Sequence, residues 1–348
     1  DGDRKIFSLT TGSFCREKLP VDLMVVDKRR DELCEWIDQS TPYGSCHLEV
    51  ASEDASFRRY FRIHTADGPR IVMDSPPELE PCNPFIQLAE KLINAGIQVP
   101  QVYFQDTDLG FLILSDFGNL HYQDAIVSER RNELYERAIQ EIIKMQKCAT
   151  DWVAELPVFD MDWQNKELEI FRKWCLPSIT MDEFQEYTKP LVASIDQMPK
   201  SFMHRDFHCR NLLVLKDGSP GIIDFQGAML GPVTYDLVSL LRDCYVDNPE
   251  EWIDRQVGLF RTQLIQAGLI SPEIDENTIQ RWFDWAGLQR HLKCVGIFHR
   301  LKIRDNKPQY LKDVPRVLGY ISMVLKNYPE LHDLHSLVEQ ASIVLPNS

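Results

Sequence analysis

The chain has 348 residues, of which 44% are apolar, so it can bury a large core, and its length predicts two domains or lobes. Its formal net charge of −15 argues against nucleic acid or an anionic membrane surface as the main partner, because most of the protein surface would repel either one. The charge does not exclude a nucleotide site, since such a site needs only local cations and Mg²⁺.

The cysteine usage predicts a reducing environment. Nine cysteines are scattered along the chain, and no two of them form a Cys-x-x-Cys pair. This usage is typical of reduced thiols rather than of a disulfide framework or a zinc site, and it predicts a cytoplasmic protein. No stretch reaches the roughly 18 apolar residues of a membrane-spanning helix, so we expect no membrane partner. The start of the chain lacks the pattern of a secretion signal, and we expect a monomer.

The first elements follow a poorly defined segment, 1–24. From Asp27 onward, Leu33, Trp36 and Ile37 recur at helical spacing and predict an amphipathic helix.

Residues 48–63 predict a β-hairpin whose turn is made of small and polar residues and whose second strand alternates arginine with aromatic residues. Small turn residues allow backbone N–H groups to approach a phosphate. Ser56 in the turn and Arg59 and Arg62 in the strand are therefore candidate nucleotide contacts. The alternative is an ordinary hairpin with an exposed basic face.

The following elements complete a small sheet-bearing lobe, predicted over 25–117. They are strands at 69–74, 99–104 and 110–114 and a helix at 83–95. The hinge-like sequence Ser-Asp-Phe-Gly at 115–118 then leads into a helical lobe, predicted over 118–348. The first helices of that lobe are expected from Ser128 to Ala149, at 162–174 and at 182–198.

Polar side chains stand at the ends of two short apolar runs, 212–215 and 221–224, which are separated by an Asp-Gly turn signal and predict a β-hairpin. Asp206 and Asn211 precede the first strand, and Asp224 closes the second. Because antiparallel strands return to the same end, we expect the three side chains to lie together. Two carboxylates and an amide make a hard-oxygen site that suits Mg²⁺.

Residues 282–302 predict an amphipathic helix that concentrates cations in an otherwise acidic protein. Arg290, Lys293 and Cys294 lie at i, i+3 and i+4 and can share one side of this helix. A cationic patch can hold the carboxylate of a substrate or a transferring phosphate, so Arg290 and Lys293 are candidate substrate contacts. The alternative is a solvated helix face.

The order His-Arg-Asp at 204–206, then Asn211, then Asp224 at the end of a hairpin resembles the catalytic loop and metal-binding Asp of protein kinases. Phe-Gln-Gly follows Asp224 in place of Phe-Gly, and no Ala-Pro-Glu motif follows, so a protein kinase proper is not expected. The chain is more similar to the aminoglycoside phosphotransferase and choline kinase family of small-molecule kinases. This resemblance implies an α+β, bilobal, protein-kinase-like fold with a small β-rich N-lobe and a larger, mainly helical C-lobe.

The resemblance also implies roles for individual residues. Asp206 orients the acceptor hydroxyl and takes its proton, and His204 supports the loop. Asn211 and Asp224 hold the Mg²⁺ that bridges the phosphates of ATP. Asp236 resembles the Asp with which this family supports the catalytic loop, although a helix N-cap is the alternative.

The nucleotide side departs from the family pattern. The family has a Lys where this chain reads Ile-Val-Met-Asp at 71–74, and the turn at 52–56 has no glycine. Arg59 or Arg62 is the nearest replacement for that Lys as a phosphate-binding cation, with a structural role as the alternative. The backbone positions that correspond to the adenine-binding hinge are Leu114, Ser115 and Asp116.

Three strings, HRDFHCRNLL, IIDFQGA and GPVTYDLVSLLRD, are most similar to family members that phosphorylate the 1-hydroxyl of N-acetylmuramate and N-acetylglucosamine in bacterial cell-wall recycling. The string NKELEIFRKW resembles the helix that borders their acceptor cavity, which makes Glu169 a candidate sugar contact, with a surface carboxylate as the alternative. We therefore expect an ATP- and Mg²⁺-dependent kinase of a small amino sugar. The alternatives are an aminoglycoside or choline-type kinase with a cationic acceptor and a catalytically inactive, kinase-shaped binding module.

Overall fold

The computed structural model describes residues 27–52, 57–127 and 129–344, and the chain separates into two compact units, 1–46 and 47–348. Three predictions fall outside the described residues: the segment 1–24, Ser56 in the hairpin turn, and Ser128 as the start of a helix. The lobe boundaries inferred from the sequence stay a prediction.

In the first unit, the predicted helix is present as α1 (Lys28–Ser40). It begins at Asp27, whose side chain accepts a hydrogen bond from the amide N–H of Arg30 and so caps the helix. Leu33, Trp36 and Ile37 are its buried residues, as their spacing predicted.

The small lobe of the second unit is built on an antiparallel sheet. The strands are β1 (Glu49–Ser52), β2 (Arg59–Thr65), β3 (Gly68–Asp74), β4 (Val102–Asp106) and β5 (Phe111–Ser115). Among the described residues they form a five-stranded sheet in the order β1-β2-β3-β5-β4. Helix α2 (Asn83–Asn94) has a proline, Pro84, in its first turn and buries Phe85, Leu88 and Leu92.

Strand β4 begins three residues later than the sequence predicted. The predicted strand started at Val99, but the observed one starts at Val102. Pro100 explains the difference, because a proline has no N–H to donate to a strand ladder. Val99 is nevertheless buried, so the apolar pattern there reports packing rather than strand pairing.

Helices make up most of the larger lobe. They are α3 (Tyr122–Ala125), α4 (Arg131–Cys148), α5 (Met161–Cys175), α6 (Met181–Asp196), α7 (Tyr235–Leu241), α8 (Glu250–Gln266), α9 (Glu276–Ile303), α10 (Val314–Asn327) and α11 (His332–Val344). Side-chain caps fix several starts: Asp160 accepts from Trp163 N at the start of α5, and Thr180 caps α6.

Helix α9 is present where a helix was predicted, but the predicted amphipathic character is wrong, because the helix is buried on nearly all sides. Between Phe283 and Leu301 almost every residue is buried, including Arg290 and Lys293. The helix packs against α5, α7, α8 and α10. It forms the centre of the larger lobe rather than a surface of it.

The segment between α6 and α7 contains short strands. Strand β6 (Lys200–Met203) pairs with β9 (Met229–Pro232), and β7 (Leu212–Val214) pairs with β8 (Pro220–Ile222). The β-hairpin predicted from the apolar runs 212–215 and 221–224 is therefore confirmed. Within the described ranges, no helix is both long enough and apolar enough to cross a membrane.

Candidate active site

The β7–β8 hairpin brings together Asp206, Asn211 and Asp224, as the sequence predicted. Leu212 is paired with Ile222 at the base of the hairpin, so the residues just outside this pair are neighbours. The side-chain amide of Asn211 donates to the carbonyl oxygen of Asp206 at 2.9 Å and to a carboxylate oxygen of Asp224 at 3.3 Å. The Asn211 amide and the Asp224 carboxylate therefore lie at one end of the hairpin, next to the backbone of Asp206.

Asp224 has a left-handed backbone conformation, with φ of 63° and ψ of 35°. Asp tolerates this region better than most residues do. The conformation turns the chain at the end of β8 into a short 3₁₀ helix, Phe225–Gly227. Phe225 is buried, and its ring lies 4.8 Å from that of Phe85 in α2. This contact connects Asp224 to the small lobe.

Asp236 holds the loop that precedes Asp206. Its carboxylate accepts the backbone N–H of His204 at 2.7 Å and of Arg205 at 3.0 Å. Arg205 needs this support because its φ is 77°, which is unfavourable for a side chain of its size. Burial raises the pKa of Asp236 to about 7, against the opposing effect of the two amide donors. The N-cap position of α7 is Thr234, so Asp236 supports the loop rather than capping the helix.

Contacts of His204 and Asp243 also hold this loop in place. His204 is buried, and its Nε2 lies 3.1 Å from the carbonyl oxygen of Ile223. Burial lowers the pKa of His204 to about 4, so the ring is neutral at pH 7. Asp243 accepts the backbone N–H of Cys209 at 2.8 Å. Together with Asp236, these groups satisfy the backbone of the loop and leave little freedom for Asp206.

Cations surround Asp206. Burial opposes its ionisation, but Lys293, His208 and Arg290 outweigh that effect and hold the pKa of Asp206 well below its usual range. The carboxylate is therefore ionised throughout the neutral pH range. Arg290 and Lys293 were predicted as candidate substrate contacts, and the structure places both near Asp206. The alternative of a solvated helix face is wrong for these two residues, which are 2% and 7% exposed.

Glu167 is a residue of this site that the sequence analysis missed. It is buried in α5 and accepts from Arg205 at 2.5 Å, from Lys293 at 3.1 Å and from Gln289 at 3.1 Å. Burial disfavours its ionisation, yet the two cations lower the pKa of Glu167 below its ordinary value. A signal was present in the sequence, because Glu167 shares a helix face with Phe171, which is buried.

Glu169, predicted as a candidate sugar contact, lies two residues further along the same helix. Its carboxylate makes a two-pronged ion pair with Arg172, at 2.6 and 2.7 Å. About a third of its side chain is exposed. Glu169 therefore faces a different neighbour from Glu167, which contacts the cations beside Asp206.

A cavity of about 150 Å³ lies between the sheet and the hairpin. Its walls include the predicted hinge positions Leu114, Ser115 and Asp116 on one side and Asn211 and Asp224 on the other. Apolar side chains cover much of the rest of the wall, among them Tyr60, Ile71, Phe117 and Phe225. An apolar slot with polar groups at one end suits a nucleotide whose base lies at the hinge and whose phosphates reach the hairpin.

The two arginines predicted as phosphate contacts both bind carboxylates. Arg62 lines the cavity and makes a two-pronged pair with Asp116, at 2.5 and 3.0 Å. Arg59 stands opposite Asp74 on the neighbouring strand, and one of its nitrogens lies 2.6 Å from that carboxylate. Asp74 is fully buried at the end of β3, close to where the family has its Lys.

Comparison with known proteins identifies the family. Residues 47–269, more than half of the chain, match the model of the phosphotransferase enzyme family. An N-acetylmuramate/N-acetylglucosamine kinase of Pseudomonas aeruginosa is 38% identical over 90% of this chain and 96% of its own length. The protein of that name from Neisseria meningitidis is 37% identical over 89% of this chain and 95% of its own.

Among solved structures, a choline kinase from Streptococcus pneumoniae gives a TM-score of 0.57 at 11% identity, covering 85% of this chain and 99% of that one. A likeness at this identity shows the fold alone. It confirms the predicted bilobal, protein-kinase-like α+β fold, and the family match confirms the predicted resemblance. The chain belongs to the phosphotransferase enzyme family.

Proposed function

We propose that the protein is an ATP- and Mg²⁺-dependent kinase that phosphorylates the anomeric 1-hydroxyl of N-acetylmuramate and N-acetylglucosamine, as a step of peptidoglycan recycling. The observation that carries the proposal is that Asn211 and Asp224 lie at one end of a hinge-lined cavity, with the Asn211 amide bonded to the backbone carbonyl of Asp206. The names and the coverage of the two bacterial relatives support the choice of acceptor.

The donor set fits Mg²⁺ and the phosphates of ATP. Mg²⁺ takes one or two carboxylates from a protein and leaves its other positions to water and phosphate oxygens. In the described part of the chain, no group of three or more His, Cys, Asp and Glu side chains could hold a metal ion. Asn211 and Asp224 are enough for a Mg²⁺ site whose other ligands are water and the phosphate oxygens of ATP. When bound, Mg²⁺ neutralises the negative charge that builds up during transfer.

Asp206 positions the acceptor. Its carboxylate is ionised and can accept a hydrogen bond from the sugar hydroxyl, which aligns the oxygen with the terminal phosphorus. Because its pKa is held low, Asp206 is a weak base, and it accepts the proton late, when the bond to phosphorus is largely formed. Its contribution is therefore mainly alignment.

The cations beside Asp206 favour a neutral or anionic acceptor. Arg290, Lys293 and Arg205 all lower the pKa of Asp206, and a choline or aminoglycoside cation bound there would be repelled by them. N-acetylmuramate carries a carboxylate, and N-acetylglucosamine carries no net charge. Lys293 is the candidate contact for the carboxylate, with Glu167 holding its ammonium group in place.

The missing Lys does not by itself indicate an inactive module. Arg59 on β2 forms an ion pair with Asp74 on β3. Asp74 lies near the position at which the family has its Lys. About a third of the Arg59 side chain is exposed, so a phosphate can reach it. We assign the phosphate-binding role to Arg59 or Arg62 as the sequence suggested.

A transfer assay tests the proposal. The protein is incubated with Mg²⁺, radiolabelled ATP and, separately, N-acetylmuramate, N-acetylglucosamine, choline and an aminoglycoside. We expect label on both sugars, with the phosphate at the anomeric carbon by NMR. Label only on a cationic acceptor would overturn the sugar assignment, and no transfer to any acceptor would favour the binding module. The cytoplasmic location and the monomeric state stay predictions.

A further inference from the structure

A second cavity, of about 360 Å³, borders the segment that follows Asp224. Its walls include residues of α2 in the small lobe, of the chain between α4 and α5, and of the segment 226–229. It shares no lining residue with the cavity between the sheet and the hairpin, here called the nucleotide cavity. Pockets for small molecules measure about 300–1,000 Å³, so the second cavity has a size that suits a monosaccharide.

Asp224 connects the two cavities through its two carboxylate oxygens. Asn211, which lines the nucleotide cavity, donates to Oδ2 at 3.3 Å. Gln226, which lines the second cavity, donates to Oδ1 at 2.6 Å. In phosphoryl transfer the attacking and leaving oxygens are roughly in line, so the acceptor approaches the phosphorus from the side opposite to the departing nucleotide. A separate cavity that adjoins Asp224 meets this requirement.

Arg205 connects the second cavity to the catalytic loop. It lines the cavity and is the chain neighbour of Asp206. Its guanidinium group donates to the carbonyl oxygen of Gly227 at 3.3 Å and to the carboxylate of Glu167 at 2.5 Å. Glu167 in turn lies 3.1 Å from the ammonium group of Lys293. The cavity therefore adjoins the charged cluster beneath the catalytic loop.

The uncharged part of the lining suits a sugar. Two indoles, of Trp152 and Trp163, supply apolar surface for the C–H bonds of a pyranose ring. Leu88 and Leu156 add apolar surface of the kind that an acetyl methyl group can contact. The side-chain carbonyl oxygen of Gln226 is buried and has no hydrogen-bond partner among the described residues. A bound hydroxyl would satisfy it.

The charged part of the lining disfavours a cationic ligand. Lys91 of α2 lies 2.6 Å from Glu155 and 5.0 Å from the centre of the Trp152 ring, so it joins the small lobe to the larger one at this cavity. With Arg205, the lining has two cations against the single carboxylate of Glu155. A neutral or anionic sugar is therefore favoured over an aminoglycoside or choline.

We propose that the second cavity is the acceptor subsite: it holds the part of the amino sugar that does not react, while the anomeric hydroxyl points toward Asp206. The inference rests on the proposed kinase function and deepens it, because it names the residues that select the sugar. Among the described residues, three further cavities between helices of the larger lobe are lined by no residue of 204–211 or 224–227. Those cavities give an acceptor no access to the catalytic loop.

Indole NMR tests the subsite without any turnover. The chain has seven tryptophans, and isotope-labelled protein gives an indole N–H signal for each; single Trp→Phe variants assign the signals of Trp152, Trp163 and Trp252. We expect N-acetylglucosamine to shift the first two signals. Trp252 lines a different cavity and is the internal control, so its signal should not move. Sugar that binds and moves neither cavity signal would overturn the proposal.

A blocking substitution tests the same subsite by kinetics. Gln87→Trp places a large side chain at an exposed position of the cavity wall, and Glu90→Trp, exposed on the same helix but outside the wall, is the matched control. We expect Gln87→Trp to raise the KM of both sugars by about 10-fold, because overfilled sites lose about that much. The kcat and the KM of ATP should change little, and Glu90→Trp should resemble the wild type.

The outcomes separate this inference from the proposed function. Unchanged sugar KM values in Gln87→Trp, with transfer to both sugars intact, would overturn the acceptor subsite and leave the kinase proposal standing. A wild-type protein that neither binds nor phosphorylates either sugar would overturn both.

Discussion

Replacing Glu167 by Gln tests the charge arrangement beneath the catalytic loop. Glu167 is 4% exposed, and one of its oxygens contacts both Arg205 and Lys293. Glutamine keeps the shape and can still bond to Gln289, but it leaves the buried Lys293 and the partly buried Arg205 without their counter-charge. Removing one partner of a buried ion pair typically costs about 3 kcal/mol or more. We expect the free energy of unfolding to fall by about 3 kcal/mol.

Glu169→Gln is the matched control, because it makes the same change on the same helix two residues away. Its pair with Arg172 is partly exposed, and such pairs contribute at most about 1 kcal/mol. Denaturant unfolding at pH 7 measures both variants. The reasoning is refuted if the two substitutions cost the same, or if Glu167→Gln costs less than about 1 kcal/mol.

The same variant carries a pH signature. The pKa of Glu167 is lowered in the folded protein from its ordinary value of 4.5. Its charge therefore stabilises the fold above pH 4.5, and this contribution is lost as the pH falls through the lower, folded value. The gap in stability between the wild type and Glu167→Gln is expected to narrow below pH 4.5. A gap that widens there would contradict the assigned charge.

The remaining predictions concern the loop and the metal site. Asp206→Asn should lower kcat on the order of 1,000-fold with unchanged ATP affinity, because Asp206 contacts the acceptor; equal loss of nucleotide binding, measured by calorimetry, would argue against that role. Asp224→Ala should instead weaken binding of the Mg²⁺–nucleotide complex, and an unchanged Kd would remove Asp224 from the metal site. His204 has a pKa of about 4 in the folded protein against an ordinary 6.5. Protonation of the unfolded chain should therefore lower the free energy of unfolding by about 2 kcal/mol between pH 7 and pH 5. His204→Gln should remove that loss and the exposed control His64→Gln should not, and urea unfolding at the two pH values distinguishes them.

The sequence predicted the catalytic hairpin well because its signals are local. An Asp-Gly turn between two apolar runs fixes which residues lie at the open end, so Asn211 and Asp224 could be placed together without knowledge of the rest of the fold. The left-handed conformation of Asp224 and the support of the loop by Asp236 depend on contacts with distant residues. Only the family resemblance pointed to Asp236.

The burial of α9 could not be predicted from its sequence alone. Arg290 and Lys293 make the helix look half polar, and a polar face normally lies in solvent. Here the charge of Lys293 is balanced by Glu167, which is 126 positions earlier in the chain. That pairing is a tertiary contact that periodicity does not report. The contacts of Glu167 with Arg205 and Lys293 are also tertiary, which is why the sequence pointed to Glu169 as the candidate sugar contact and not to Glu167.

The departure on the nucleotide side was visible in the sequence, but its consequence was not. The absence of a Lys near 71–74 could be read directly, whereas the alignment of Arg59 with Asp74 depends on the pairing register of β2 and β3. The pairing of Arg62 with Asp116 joins residues 54 positions apart. Sequence pattern alone named the arginines and could not name their partners.

The central claim is that residues 206, 211 and 224 surround a divalent ion next to a triphosphate. The most direct measurement is anomalous scattering from crystals grown with Mn²⁺ and a non-hydrolysable ATP analogue. We predict a manganese peak about 2.1 Å from the side-chain oxygens of Asn211 and Asp224, close to the carboxylate of Asp206. A peak bound elsewhere, or a nucleotide whose phosphates lie away from the hairpin, would contradict the account.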